Sequence, residues 1–439
     1  RIHGISVLGT VPELPALAAR YEVDLVIIAV PSATSAEMQH IVGWCERSGR
    51  PFRTLPRTLD VVAGRVTLEA MRDVAIEDLL SRDPVSFDWQ GIQRALAGKV
   101  VLISGGGGSI GSELCRQVAR LGVARLVVFD QSEYGLFQIE RELRARFPHL
   151  ELVCVLGDVR DAALLGRVFE AYRPRTVFHA AAYKHVPVLE QQVREAVLNN
   201  ILGTHNVAEA AIAAGCDTFV LISSDKAVRP SSVMGASKRC AELMCESKSR
   251  RGATRFITVR FGNVLGSTGS VVPLFRRQIE DGGPVTVTHP EATRYFMTIP
   301  EACQLILQAA AIGRGGEIFV LDMGQPVNIT YLAEQLIRLS GRVPGQDVRI
   351  VYTGLRPGEK LHEELFHAEE NLAPTGYDKL LLAQQTTRSS AEIGRLFETL
   401  MAACERHDDE ALRELLRDGV IGYRAPPAGV VVPFERSST

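Results

Sequence analysis

Several features that would mark a special class of protein are missing from this sequence. None of the eight cysteines stands in a Cys-x-x-Cys pair, so neither a zinc ribbon nor a disulfide framework is indicated, and reduced thiols in a cytoplasmic setting are expected. No apolar run approaches the ~20 residues that cross a bilayer, and no signal peptide opens the chain. Charge of one sign is lacking too: 49 Lys and Arg stand against 51 Asp and Glu, a formal net charge of −2. With the basic residues dispersed, nucleic acid is not an expected partner. No internal repeat or low-complexity tract appears, and His185 and His289 carry no ligand spacing, so no metal is expected.

What is present is a chain of 439 residues, 46% hydrophobic and 23% charged, the composition of a globular protein with at least two folded units. It begins with Arg1, and residues 4–10 read as a strand and turn entered midway, so an upstream portion is expected. Residues 1–90 alternate β-rich runs (Ile5-Ser6-Val7-Leu8 and Leu25-Val26-Ile27-Ile28-Ala29-Val30) with a helical stretch at 33–48, the pattern of a partial α/β nucleotide-binding-like layer. Pro31-Ser32-Ala33-Thr34 is a strand-to-helix turn of the kind that can hold a phosphate, and an ordinary capped loop accounts for it. Residues 73–88 read as a connection, with a boundary near Gln90.

From Lys99 a second alternation begins, with strands expected at 100–104, 125–129, 152–156, 176–179, 218–223 and 256–260 and helical patterns between them. Strands alternating with helices at this spacing predict an α/β fold with a doubly wound parallel sheet over 91–265. Beyond it the pattern loosens at Gly282-Gly283-Pro284 and Arg356-Pro357-Gly358, with helices expected at 300–311 and 328–339. A smaller substrate lobe is therefore expected over 266–375. A C-terminal helical region, 376–439, contains an amphipathic stretch at 389–417 suited to packing on the body or on a neighbour.

Ser104-Gly105-Gly106-Gly107-Gly108-Ser109-Ile110-Gly111 follows the first strand of this sheet and opens a helix. Gly105, Gly108 and Gly111 allow a tight turn, close approach of backbone N–H groups to a pyrophosphate, and close helix–strand packing. The next strand ends in Asp130, about twenty residues on, where a carboxylate can accept hydrogen bonds from an adenosine ribose. With no Arg or Lys beside it, Asp130 favours NAD over NADP. Asp158, in Gly157-Asp158-Val159 at the end of the third strand, can reach toward an adenine.

The strand at 218–223 delivers Ser223-Ser224-Asp225-Lys226 to the carboxyl edge of the sheet, where ligands bind in open α/β folds. An adjacent acid and amine there can serve two proton transfers. Met234-Gly235-Ala236-Ser237-Lys238 then opens a helix. Here the sequence resembles the extended short-chain dehydrogenase/reductases of the Rossmann class, whose Ser/Thr, Tyr and Lys stand at these spacings: Ser224 and Lys238 match, and Met234 occupies the tyrosine position. One branch resembles it further, the membrane-associated UDP-N-acetylglucosamine 4,6-dehydratases of capsule, O-antigen and bacillosamine-type synthesis, which carry Met at that position. The likeness extends to Phe129-Asp130-Gln131-Ser132-Glu133-Tyr134, Ala180-Ala181-Ala182-Tyr183-Lys184-His185-Val186-Pro187, Arg260-Phe261-Gly262-Asn263-Val264-Leu265-Gly266-Ser267, Thr293-Arg294-Tyr295-Phe296-Met297 and Leu355-Arg356-Pro357-Gly358-Glu359-Lys360.

The resemblance implies an internal redox cycle: oxidation at C4 of the sugar, loss of the C5 proton, loss of water from C6, and return of the hydride to C6. It implies NAD contacts from Gly105, Gly107, Gly108, Ser109, Ile110 and Gly111, and from Asp130, Gln131, Ser132, Asp158 and Val159. Ala180, Ala181, Ala182, Asn200 and Lys238 complete that set. Lys226, its pKa lowered by burial or by neighbouring cations, is assigned the C5 proton; Asp225, the departing C6 hydroxyl; Ser224, the C4 oxygen; Lys238, the nicotinamide ribose; Met234, packing beside the nicotinamide. The C4 base stays open between Asp225, Lys226, Ser224 backed by Lys238, and a water. Substrate contacts are expected from Lys184, His185, Asn263, Ser267 and Glu359, with Arg294 and Arg356 on the pyrophosphate. The resemblance also implies a homo-oligomer and a membrane attachment upstream of residue 1. A UDP-sugar epimerase and a non-catalytic cofactor-binding scaffold are the competing readings.

Overall fold

The computed structural model describes residues 4, 6–30, 33–55, 72–80, 87–249, 253–366, 370, 372–383, 389–420 and 422–424. At the N-terminal end, β1 (Val26–Ile28) and β2 (Phe52–Thr54) pair in parallel, and β3 (Arg72–Asp73) joins β2 antiparallel. The helix Ser35–Arg47 follows a capping box, in which Thr34 Oγ1 accepts from the Glu37 amide while the Glu37 carboxylate accepts from the Thr34 amide at 2.8 Å. The strand expected at 5–8 does not form over its described residues, 6–8. A strand needs a partner ladder, and none of the described residues offers one there, so Val7 and Leu8 stand 60% and 58% exposed. Pro31 and Ser32 of the candidate phosphate turn, and residues 81–86 of the expected connection, lie outside the described residues.

The main sheet begins with β4 (Val100–Ser104), β5 (Arg125–Asp130), β6 (Leu152–Leu156), β7 (Thr176–His179), β8 (Thr218–Ile222) and β9 (Arg255–Arg260). All six run parallel, within a residue of the bounds the hydrophobic runs predict. The lobe is built from short pairs: β10 (Asn263–Val264) with β13 (Phe296–Met297), β11 (Val285–Val287) with β16 (Ile350–Tyr352), and β12 (Thr293–Arg294) with β15 (Val327–Asn328). Three strands from this later half return to the main sheet. β14 (Ile318–Leu321) runs parallel beside β9, and β18 (Leu380–Ala383) and β17 (Leu372–Pro374) close the edge as an antiparallel hairpin. The nine-stranded order is β17-β18-β14-β9-β8-β7-β4-β5-β6, so the sheet crosses the boundary expected at 265. Strand order reverses between β4 and β7, the point at which such sheets open a crevice for ligands.

Apolar residues from both faces of the strands fill two cores. One, around Ile103, Val128 and Val220, takes the helices Trp89–Leu96, Ser109–Val118, Glu133–Arg146 and Ile299–Ile312; the other, around Leu102, Val127 and Phe219, takes Ala162–Tyr172, Gly203–Ala213 and Val233–Ser249. The N-terminal unit docks through a third core in which Met38, Val42 and Leu79 meet Val272, Phe275 and Leu336 of the lobe. Every residue from Val233 to Ser247 is buried, because the C-terminal helices Ser390–Glu405 and Asp409–Gly419 lay Leu400, Leu412 and Leu416 in a core shared with Met234, Cys240 and Leu243. The C-terminal segment therefore packs on the body, over the helix that carries Lys238. No helix among the described residues is long and apolar enough to cross a membrane.

Candidate active site

The glycine loop sits at the carboxyl end of β4. Gly105 has φ +73°, and a Cβ there would come within 2.6 Å of the Ala181 amide nitrogen; one on Gly111 would lie 2.0 Å from the Gly105 carbonyl oxygen. Both positions thus require glycine, the first for its left-handed backbone and the second for helix–strand approach. Gly107 lies against Gly135, and its amide donates to Asp130 Oδ2 at 2.8 Å. Gly108 caps the helix Ser109–Val118 without a side-chain hydrogen bond, leaving first-turn amides for an anion. The Ser109 hydroxyl instead meets Thr268, accepting from its amide at 3.1 Å, so it ties this loop to the lobe. Ile110 packs against the core.

Asp130 also accepts from the Ser132 amide at 2.7 Å, and Ser132 caps the next helix by accepting from Gly135. The carboxylate therefore braces the loop whether or not a ribose adds to it. Gln131 is exposed beside Tyr183. Asp158 is engaged by the Arg160 side chain at 2.8 Å and by its amide; burial acts to raise its pKa, but these bonds hold it below the ordinary carboxylate range. Val159 is buried in the second core. Ala180, Ala181 and Ala182 follow β7 beside the loop. Asn200 accepts from the Tyr183 amide at 2.8 Å and donates to the Tyr183 carbonyl and Ser237 at 3.0 Å each. Its side chain holds that strand end against the Lys238 helix.

Ser224, Asp225 and Lys226 lie just past β8. Asp225 is fully buried; its Oδ1 accepts from Ser224 Oγ at 2.9 Å and from Lys226 Nζ at 3.0 Å, while Oδ2 has no hydrogen-bond partner. Burial raises its pKa, against the pull of the Lys226 ammonium. Lys226 also reaches Asn263 Oδ1 at 3.1 Å and Glu363 Oε1 at 3.4 Å. Burial acts to lower its pKa, but the two carboxylates outweigh it and hold the ammonium above its ordinary value. This corrects the expectation of a lowered amine: the sequence places a cation beside one acid, and the fold adds a second.

Lys238 donates to the Ile222 carbonyl at 2.7 Å, and burial pushes its pKa down to about 8. Met234 is buried with Val186, Val193 and Cys240 and serves as packing. Beneath them, His179 bridges Ser104 at 2.7 Å and Thr204 at 2.9 Å, its pKa pushed down to about 3 by burial and then by Lys238.

A cleft of roughly 250 Å³ opens in front of Lys226, between the sheet end and the lobe, and Lys184, His185, Asn263, Arg294, Arg356 and Glu359 all line it. Ser267 stands behind, 3.4 Å from Lys184 Nζ. The two arginines differ. Arg356 is 57% exposed and paired only with Glu359 at 2.8 Å, an arrangement that can open toward a phosphate. Arg294 donates to the carbonyls of Thr293, Lys360 and Leu361 at 2.7–3.1 Å and lies 3.8 Å from Glu363. Its guanidinium holds the 360–363 segment from the cleft wall.

Two features escape sequence reasoning. Glu363, with its side chain 3% exposed, lines the cleft and leaves Oε2 without a partner; burial acts to raise its pKa, but Lys226, Arg294 and Lys360 hold it low. Behind β8, Ser223 donates to Glu242, which also binds Arg239 and Arg260, and Arg260 continues to Glu370. The only signal for either is position: Glu363 stands three residues beyond the 355–360 motif, and Arg260 opens the 260–267 motif. Among the described residues no His, Cys, Asp and Glu cluster suited to a metal occurs.

The polysaccharide biosynthesis protein family model matches residues 101–385. The capsular polysaccharide biosynthesis protein CapD of Staphylococcus aureus is 45% identical over 90% of this chain and 66% of its own length, so this chain spans about two thirds of that relative. A UDP-glucose 4-epimerase of Rickettsia massiliae is 34% identical over 62% of this chain and 79% of its own. Among solved structures, Pen from Bacillus thuringiensis is similar with a TM-score of 0.61 and 34% identity, covering 67% of this chain and 89% of that one. The dTDP-glucose 4,6-dehydratase DesIV of Streptomyces venezuelae, a double mutant solved with NAD bound, shares the fold at a TM-score of 0.56 and 23% identity, over 72% of this chain and 99% of that one.

Proposed function

The chain belongs to the polysaccharide biosynthesis protein family, and on that premise we propose that it carries out the NAD-dependent 4,6-dehydration of a UDP-sugar, UDP-N-acetylglucosamine being the substrate favoured, in bacterial surface glycan synthesis. The observation that carries this reading is the buried Asp225 at the end of β8, with Oδ2 unpartnered and Lys226 between it and the cleft. Elimination of the C6 hydroxyl needs such an acid, and simple inversion at C4 does not.

NAD fits the glycine loop on the chain's own geometry. The loop admits no Cβ at Gly105 or Gly111, the Ser109–Val118 helix presents uncapped amides, and Asp130 bears no adjacent cation to welcome a 2′-phosphate. When bound, NAD supplies the acceptor and donor of hydride at the sugar. The remaining work falls to side chains. Ser224 hydrogen-bonds the C4 oxygen, the Lys226 ammonium stabilises negative charge that develops there, and Asp225 protonates the leaving hydroxyl at C6. Lys238 has donors left for the nicotinamide ribose, and Arg356, with Lys184 and Asn263, meets the diphosphate and sugar. Incubation of the protein with UDP-N-acetylglucosamine, followed by NMR, tests the reading. A C6 methyl signal with a C4 ketone or its hydrate supports it, whereas a C4 epimer or unchanged sugar refutes it.

A further inference from the structure

Two carboxylates flank the Lys226 ammonium, and their surroundings push them apart. Asp225 lies fully buried on the sheet side, with Ser224 and Lys226 as its partners. Glu363 comes from the lobe side, on an irregular segment fastened to β12 by the Arg294 guanidinium and by the bond from the Thr293 amide to the Leu361 carbonyl at 3.1 Å. Its Oε1 faces Lys226 at 3.4 Å, its Oε2 is buried without a hydrogen-bond partner, and the residue lines the cleft. A carboxylate oxygen desolvated without a hydrogen-bond partner is costly to keep, and three cations nearby, Lys226, Arg294 and Lys360, keep the group ionised.

We propose that Glu363 is the base that takes the C5 proton, an assignment that rests on the 4,6-dehydration reading above. In the C4 ketone, the C5–H bond breaks, its electron pair passes into a C4–C5 enolate, and the proton goes to the Glu363 carboxylate. Lys226 remains an ammonium and stabilises the enolate oxygen. When the enolate collapses, the C6–O bond breaks, a C5–C6 double bond forms, and the hydroxyl leaves as water with the Asp225 proton. Paired carboxyl groups whose environments separate their pKa values divide acid from base in this way. The fold supports the division through position, because the acid comes from the sheet and the base from the lobe, on opposite sides of one ammonium.

The test needs no redox step. The purified protein is given the UDP-4-keto-6-deoxy sugar in D₂O, and exchange of the C5 proton is followed by NMR. Glu363→Gln should slow exchange by about 10²–10⁴-fold, the usual worth of a general base, with UDP affinity and bound nucleotide unchanged. Glu363→Asp should recover part of the rate. Near-native exchange in Glu363→Gln would overturn the assignment while leaving the dehydratase reading intact. Loss of UDP affinity in parallel with exchange would overturn it too, by making Glu363 a builder of the cleft. Absence of exchange in the native protein would sink the dehydration reading together with the assignment.

Discussion

Two buried ionic clusters stand on either side of β8, and each joins the sheet to the segment beyond residue 360. In the first, Glu242 receives Ser223, Arg239 and Arg260, and Arg260, with no exposed side-chain surface, binds Glu370 at 2.9 Å on its other edge. Both Glu242 oxygens are bonded, and its pKa is held down to about 2 despite burial. In the second, one ammonium is divided between Asp225 and Glu363, and each acid keeps an oxygen without a partner. A satisfied network fixes the fold, whereas a half-satisfied one has proton-transfer capacity left over. The acids of both clusters are buried, and they differ in how fully they are satisfied.

If this contrast is right, substitutions in the two clusters should fail differently. The largest effect is expected for Asp225→Asn: dehydration should fall by about 10²–10⁴-fold with thermal stability nearly unchanged, read by product NMR beside calorimetry. Arg260→Met should do the reverse, lowering unfolding free energy by about 3–5 kcal/mol, because it strands two buried carboxylates; denaturant titration measures it. An Asp225→Asn protein that unfolds, or an Arg260→Met protein that is stable, would erase the distinction.

A smaller effect separates the two cleft arginines. Arg356→Ala should weaken UDP binding by about 1.5–3 kcal/mol, the scale of a charge-assisted hydrogen bond, with stability unchanged. Arg294→Ala should instead loosen the 360–363 segment, reducing stability and turnover together, and calorimetric titration with UDP distinguishes the two. A further effect concerns acid. The folded His179 has its pKa lowered from 6.5 to about 3, so the unfolded chain binds the extra proton and stability falls as pH drops from 6.5 toward 3. Glu242, lowered from 4.5 to about 2, adds to the loss below 4.5. His179→Asn should flatten the upper part of that slope in acid unfolding followed by circular dichroism.

The parallel core was legible because buried parallel strands read as short apolar runs, Val100-Val101-Leu102-Ile103 and Phe219-Val220-Leu221-Ile222 among them, each followed by turn residues. The glycine loop, Asp225 and Lys226 were legible because their spacing is local. The edge hairpin of β17 and β18 was not, since Leu372–Pro374 and Leu380–Ala383 become strands through pairing with β14, a tertiary partner. Glu363 lay hidden for the same reason: 137 residues separate it from Lys226 in the chain, and only folding brings the carboxylate that keeps the amine charged. The tie that Arg294 makes to the 360–363 segment was hidden too, because a sequence shows a guanidinium but not the carbonyls it holds.

The central claim is that one bound sugar is oxidised at C4 and reduced at C6 within the same site. UDP-N-acetylglucosamine carrying deuterium at C4 tests it most directly, with the native protein and NMR of the product. The account predicts that the C4 deuterium appears in the new C6 methyl group. Deuterium retained at C4 of the recovered sugar, whether epimerised or unchanged, would contradict it.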